Sequence, residues 1–152
     1  TEDLEAAVAI IVGAAGIDAA IIGNREAPGV CWLAASLDGR MVGAVAAETM
    51  VDAGVIHSLA VVEPMRRRGI GAALVGAARK AAHTRGARRL YAIGGEGIGY
   101  MDRFGFEPVA PDEMLDDIAG TVAAKHLSAH PEKLARLATM RLDISRDGVI
   151  ER

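Results

Sequence analysis

The sequence predicts an α+β domain, with a mixed, largely antiparallel central sheet flanked by helices. Three observations carry this expectation. Short apolar runs separated by turn residues recur between Val30 and Val62, the pattern of strands joined by hairpins. One strand–helix–strand passage follows, from Val55 to Ile93, which calls for a single parallel crossover and not a doubly wound sheet. No repeat, low-complexity stretch or linker divides the 152 residues, so one domain over 1–152 is expected.

Taken in order, the chain opens on a helical pattern. Thr1 suits an N-cap, Glu2 and Asp3 suit the first turn, and Leu4, Val8, Ile11 and Val12 make an apolar stripe ending at Gly16. Asp18 to Gly23 reads as a second short helix and Asn24 to Gly29 as a loop. Val30 to Ser36 is a strand, Leu37-Asp38-Gly39-Arg40 a hairpin turn and Met41 to Glu48 the returning strand. Ala53-Gly54 marks the next turn, and Val55 to Val62 a third strand. Simple alternation puts Val55, His57, Leu59 and Val61 on one face, with Ile56, Ser58 and Ala60 on the other.

A helix from about Arg68 to Arg85 turns Ile70, Leu74, Ala77 and Ala81 inward, leaves Arg79, Lys80 and His83 to solvent, and stops at Gly86. Arg88 to Ile93 is a fourth strand and Gly97 to Phe104 a short helix ended by Gly105. Phe106 opens another strand. Asp112 to His126 holds helical turns with Met114, Leu115 and Ile118 as their apolar side. Ala138 to Ile144 alternates as the last strand.

Composition narrows the function classes. Aromatic residues make up 3% of the chain, too few for stacking on single strands, and the formal charge is -3, so nucleic acid is not an expected partner. Cys31 is the lone cysteine, which excludes an internal disulfide and a multi-cysteine metal site and suits a reducing compartment. His126 and His130 are four residues apart, but Pro131 interrupts their helix and no acid completes a set, so no metal is expected. No apolar run reaches the roughly 20 residues of a membrane span, and no signal-peptide layout opens the chain. A cytoplasmic protein without a membrane partner is the expectation.

The chemistry concentrates between Val61 and Leu74. Apolar strand residues stop at Pro64, Arg66-Arg67-Arg68-Gly69-Ile70-Gly71 follows, and an alanine-rich helix begins. Bare backbone amides at a helix start, beside positive charge, suit a phosphate or pyrophosphate. The spacing lacks the lysine and hydroxyl of a nucleotide-triphosphate loop and the third glycine of a dinucleotide fingerprint.

This junction resembles the acetyl-coenzyme A signature of the GCN5-related N-acetyltransferases, a basic or amide residue, two residues, glycine, one residue, then glycine or alanine. Tyr100-Met101-Asp102-Arg103-Phe104-Gly105-Phe106 resembles the family's second element, a short helix ending in Gly-Phe, which strengthens the match. The resemblance is good from Arg40 to Val109 and looser after it. It implies acetyl transfer from acetyl-coenzyme A to a primary amine of a small molecule or amino acid, by direct attack. A non-catalytic acyl-coenzyme A-binding domain is the alternative.

The resemblance also assigns residues. Arg66, Arg68, Gly69, Ile70, Gly71 and Ala72 would cradle the pyrophosphate, and the backbone of Leu59, Ala60 and Val61 would pair with the pantetheine arm between two splayed strands. His57 is the candidate base, as the histidine sharing a face with Leu59 near the thioester, and Glu48 on the neighbouring strand is a second. Met101 occupies the register of the family's usual acid tyrosine, so Tyr100, one residue away, is the candidate acid. The branches with a similar element include N-acetylglutamate synthase-like and arsenic-resistance-type acetyltransferases. The family's first strand would precede Thr1, and the edge left without it favours pairing with a second copy as a homodimer.

Overall fold

The computed structural model describes residues 30–37, 40–62, 69–95 and 98–148. Strands β1 (Val30–Leu37), β2 (Arg40–Met50) and β3 (Ala53–Val61) form an antiparallel meander. Helix α1 (Ile70–Thr84) then crosses over to β4 (Arg89–Gly94), which lies parallel to β3. A 3-10 turn (Ile98–Phe104) leads to a two-residue β5 (Glu107–Pro108), and helices α2 (Pro111–Asp117), α3 (Val122–Ala129) and α4 (Pro131–Leu134) follow. The last strand, β6 (Ala138–Asp143), inserts between β4 and β5, antiparallel to both. The sheet order is β1-β2-β3-β4-β6-β5, and β3–β4 is its one parallel pairing. The expected mixed, largely antiparallel sheet is therefore the observed one. The helical readings from Thr1 to Gly23 lie outside the described residues.

The two faces of the sheet carry separate cores. On the α1 face, Leu74, Val75, Ala78 and Ala82 pack with Val45, Ala47, Ile56, Leu90 and Ala92, joined from the 3-10 turn by Met101 and from beyond it by Phe106. On the opposite face, Ala53, Val55 and Tyr91 pack under Met114, Ile118, Ala123 and Ala124 of α2, α3 and their link. Aromatic bulk is scarce, so small side chains bring the helices close. A Cβ on Gly43 would come within 2.9 Å of the Leu74 side chain, so this glycine serves close approach between β2 and α1.

Four local expectations are corrected. The β2–β3 turn is Val51-Asp52, since Met50 pairs with Ala53; Gly54 lies within β3, where a Cβ would sit 3.2 Å from Ala82, so it marks contact with α1 and not a turn. The buried stripe of α1 runs through Leu74, Val75, Ala78 and Ala82, while Ala77 is exposed. The helical stretch after Asp112 divides at Ile118–Thr121, where Thr121 Oγ1 donates to the Ile118 carbonyl and accepts from the Ala124 amide, closing one helix and capping the next. The fourth correction concerns β3, whose alternation breaks at a bulge.

Candidate active site

Strand β3 changes register halfway along. Ala46 faces His57 and Ala44 faces Ala60, so Ser58 and Leu59 together oppose the single residue Val45 of β2. This is a β-bulge, and Ser58 takes φ 58 to form it. Before the bulge, Ile56 packs on the α1 face and Val55 on the α2–α3 face. After it, Leu59 and Val61 pack against the α1 cluster. His57 and Leu59 thus do not share a face. The extra residue reverses the alternation.

The bulge coincides with the place where β3 and β4 part. Their ladder runs from Ala53–Arg89 to Ile56–Ala92 and stops there, although β3 continues to Val61 and β4 to Gly94. Beyond Ile56, β3 stays paired with β2 through Ala60–Ala44 and Val61–Gly43. Leu59, Ala60 and Val61, the residues expected to meet an extended arm, lie on this diverging half. A V-shaped opening in the middle of the sheet results.

At the mouth of the opening stands a buried chain of polar side chains. His57 Nε2 lies 3.0 Å from Glu48 Oε2, and Nδ1 lies 2.8 Å from Ser58 Oγ. The imidazole is 4% exposed and Glu48 2%. Glu48 also accepts from the backbone amides of Val122, at 2.6 Å to Oε1, and Ala123, at 3.0 Å to Oε2, in the first turn of α3. Burial alone would push this carboxyl up, but the hydrogen bond and electrostatic attraction from His57, with the two amides, hold it below its ordinary value. An ionised carboxylate only accepts. Nε2 therefore carries the proton donated to Glu48, and in the neutral ring Nδ1 accepts from the Ser58 hydroxyl. Trp32, opposite Ala46 on β1, sets its ring edge-on to His57 with centroids 6.4 Å apart and screens the pair from water. Its buried Nε1 has no hydrogen-bond partner among the described residues.

The helix start lies at the open end of the same V. Gly69 is the N-cap of α1 at φ 81, a left-handed conformation that favours glycine. No side chain caps this end and no acidic residue occupies the first turn, so among the described residues no carboxylate competes for the amides around Ile70, Gly71 and Ala72. Among the described residues, a Cβ at Gly69 would meet no atom within 4 Å, and one at Gly71 only Val61 Cγ2 at 4.0 Å. The resemblance's cradle residues from Gly69 to Ala72 are thus brought together with Leu59 to Val61. Arg66 and Arg68 lie outside the described residues.

Other candidate residues sort by position. Tyr100 belongs to the 3-10 turn, with its side chain outside the described residues. Met101 beside it is a core residue, 2% exposed. Arg89 sits at the N-terminal end of β4, the far end of the sheet from Gly69. There it binds Asp117 through Nε and Nη2, at 2.7 and 2.8 Å, and Asp52 at 2.9 Å. Two acidic residues of α2 are likewise engaged. Asp117 also accepts from the Tyr91 hydroxyl at 2.6 Å, and Glu113 from Arg141 at 2.6 Å. Sequence reasoning passed over Ser58, Thr121 and the α3 amides. A Thr before a new apolar run signals the cap; nothing in the residue types signals the bulge.

Comparison with known proteins fits this geometry. The family described as the Acetyltransferase (GNAT) family matches residues 12–106, well over half of the chain. The chain belongs to this family. GNAT members of known structure share its fold. Tetrahymena GCN5 superposes with a TM-score of 0.71 at 14% identity, covering 94% of this chain and 88% of that one. An aminoglycoside 6'-N-acetyltransferase solved with coenzyme A gives 0.60 at 18% identity, over 100% and 94% of the two chains. The N-acetylglutamate synthase of Neisseria gonorrhoeae, complexed with coenzyme A and L-arginine, gives 0.59 at 21% identity, over 74% of this chain. This GNAT chain spans 24% of that synthase. No curated protein sequence matches significantly.

Proposed function

We propose that the protein moves an acetyl group from acetyl-coenzyme A to a primary amine of a small molecule or amino acid, by direct attack within a ternary complex. The observation that carries the reading is the parting of β3 and β4 beyond Ile56–Ala92, directly ahead of an uncapped helix start at Gly69. An extended pantetheine arm can enter the V and complete the broken ladder against Leu59, Ala60 and Val61. Its pyrophosphate then meets the first-turn amides of α1, with Arg66 and Arg68 as flanking charge. The coenzyme-bound neighbours support this choice of donor.

The transfer needs placement more than side-chain chemistry. The amine attacks the thioester carbonyl, a backbone amide at the bulge stabilises the oxyanion, and the amine proton passes toward His57, which Glu48 orients. Tyr100 is the proposed donor to the leaving thiolate. Two copies joined through a sheet edge are the expected assembly.

Release of free coenzyme A, followed with a panel of amino acids, amino sugars and peptide N-termini, tests the reading. Turnover with at least one of them is expected. Tight acetyl-coenzyme A binding without turnover on any would sink the enzyme reading and leave a binding domain. Gly69→Ala is expected to weaken coenzyme A binding about tenfold, because it combines roughly 1 kcal/mol of backbone strain with a methyl in the phosphate space. Calorimetric titration reads this directly.

A further inference from the structure

We propose that Ser58 Oγ is the group that takes the proton from the attacking amine, with His57 and Glu48 behind it as a relay. The inference rests on the acetyl-transfer reading above and adds a catalytic residue to it. Its ground is that His57 has no ring nitrogen left for a substrate. Nε2 is held by Glu48 at 3.0 Å and Nδ1 by Ser58 at 2.8 Å, with the ring 4% exposed. The hydroxyl is the end of that chain away from Glu48, on a residue 7% exposed. Ser58 is also the bulge residue, two positions beyond Ile56, the last β3 residue of the β3–β4 ladder, where the strands open.

A serine at φ 58 is unusual, since this region costs an ordinary residue about 1 kcal/mol or more. Here the turn brings the hydroxyl back onto the ring of its own neighbour. The groups facing His57 are few among the described residues. Glu48 comes from β2, the non-titrating Trp32 from β1, and only the backbone amides of Val122 and Ala123, through Glu48, from α3. Among the described residues, Glu48 is thus the charge placed to stabilise an imidazolium.

The step balances as follows. The amine nitrogen forms its bond to the thioester carbonyl carbon while its proton passes to Ser58 Oγ. The serine's own proton passes to His57 Nδ1, giving an imidazolium held against the Glu48 carboxylate. Collapse of the tetrahedral adduct breaks the C–S bond and leaves the amide and a thiolate, which is protonated from Tyr100 or solvent. The ring then returns its proton through Ser58 to water. Ser58 forms no bond to carbon, so no acyl-enzyme arises.

Ser58→Ala and Ser58→Gly test this, the glycine tolerating φ 58 without strain. Each is assayed for acetyl transfer to a series of primary amines of graded basicity, and for coenzyme A binding by calorimetry. Both variants are expected to bind coenzyme A as the wild type does and to lose about a hundredfold in kcat on basic amines. The loss should shrink as amine basicity falls, because weakly basic amines shed their proton to water. A merely structural role would give a loss independent of basicity, and that result overturns the relay. So would wild-type kcat in both variants, or an acetyl group trapped on Ser58 by mass spectrometry. If the wild type itself acetylates no amine, the transfer reading falls first and the relay with it.

Discussion

Val51 shows how much one backbone angle can decide. It is the first residue of the two-residue β2–β3 turn, has φ 55 and is 84% exposed, a β-branched side chain where a tight hairpin turn prefers glycine. Val51→Gly is expected to raise stability by about 1 kcal/mol, read as a higher denaturant midpoint at unchanged slope. Glu48 sits at the other extreme. Its carboxylate satisfies a histidine and two amides at once, so Glu48→Gln sets an amide donor against three donors and should cost about 2–4 kcal/mol in the same experiment. The strand position of Glu48 was legible in the sequence. That it reaches across to residues 122 and 123 was not, because that contact depends on where the α2–α3 turn falls.

At the level of elements, the sequence made the strands and α1 readable through periodicity and turn residues, and the Arg66–Gly71 motif readable through spacing. Three things escaped it. The bulge has no compositional mark, since Ser58 and Leu59 continue an ordinary alternation. The α1 stripe was set one residue off because an alanine-rich helix offers several near-equal apolar faces; contact with Gly43, Gly54 and Leu90 chooses among them. The place where α2 gives way to α3 escaped it because Gly120 was not weighed as a breaker, although a Cβ there would land on Met50. Helix α2 is short, and Asp117 is what ties it to β4 through Arg89 and Tyr91. Solvent screening limits the ion-pair part to about 1 kcal/mol. Removing the acceptor of the Tyr91 hydroxyl adds about 1–2 kcal/mol. Asp117→Ala should therefore lower stability by about 2–3 kcal/mol and speed amide exchange in α2 before it does so in β4.

For the whole molecule, acid is the condition to which this architecture is most sensitive. Glu48, Asp117 and Asp147 are each held below their ordinary carboxyl value. Burial is the largest influence on Glu48 and acts upward, outweighed by His57 and the α3 amides; Arg89 leads for Asp117 and Arg79 for Asp147. A carboxyl with a depressed folded-state pKa contributes stability above its unfolded value, near 4 for Asp and Glu, and loses it as pH falls through the folded value. Stability should therefore hold at neutral pH and fall below about pH 4. Asp147→Asn should flatten that fall in urea melts taken across the pH range; an unchanged slope would remove Asp147 from the account. Asp147 binds Arg79 through two oxygens at 2.6 and 2.7 Å and so holds the segment after β6 against α1.

The doubled residue in β3 has one further consequence, for how the protein can vary. A strand without it would commit every second side chain to the same neighbour, and a change made for one ligand would disturb the other. With it, Val55 and His57 answer to Trp32, Glu48 and the α3 end, while Leu59 and Val61 answer to α1 and the helix start. Under the proposed transfer, acceptor and donor preferences would fall on separate stretches of one strand. Substitutions on either side of Ser58 should combine additively in free energy, as independent sites do. On that reading a new acceptor could be tried without rebuilding the coenzyme contacts.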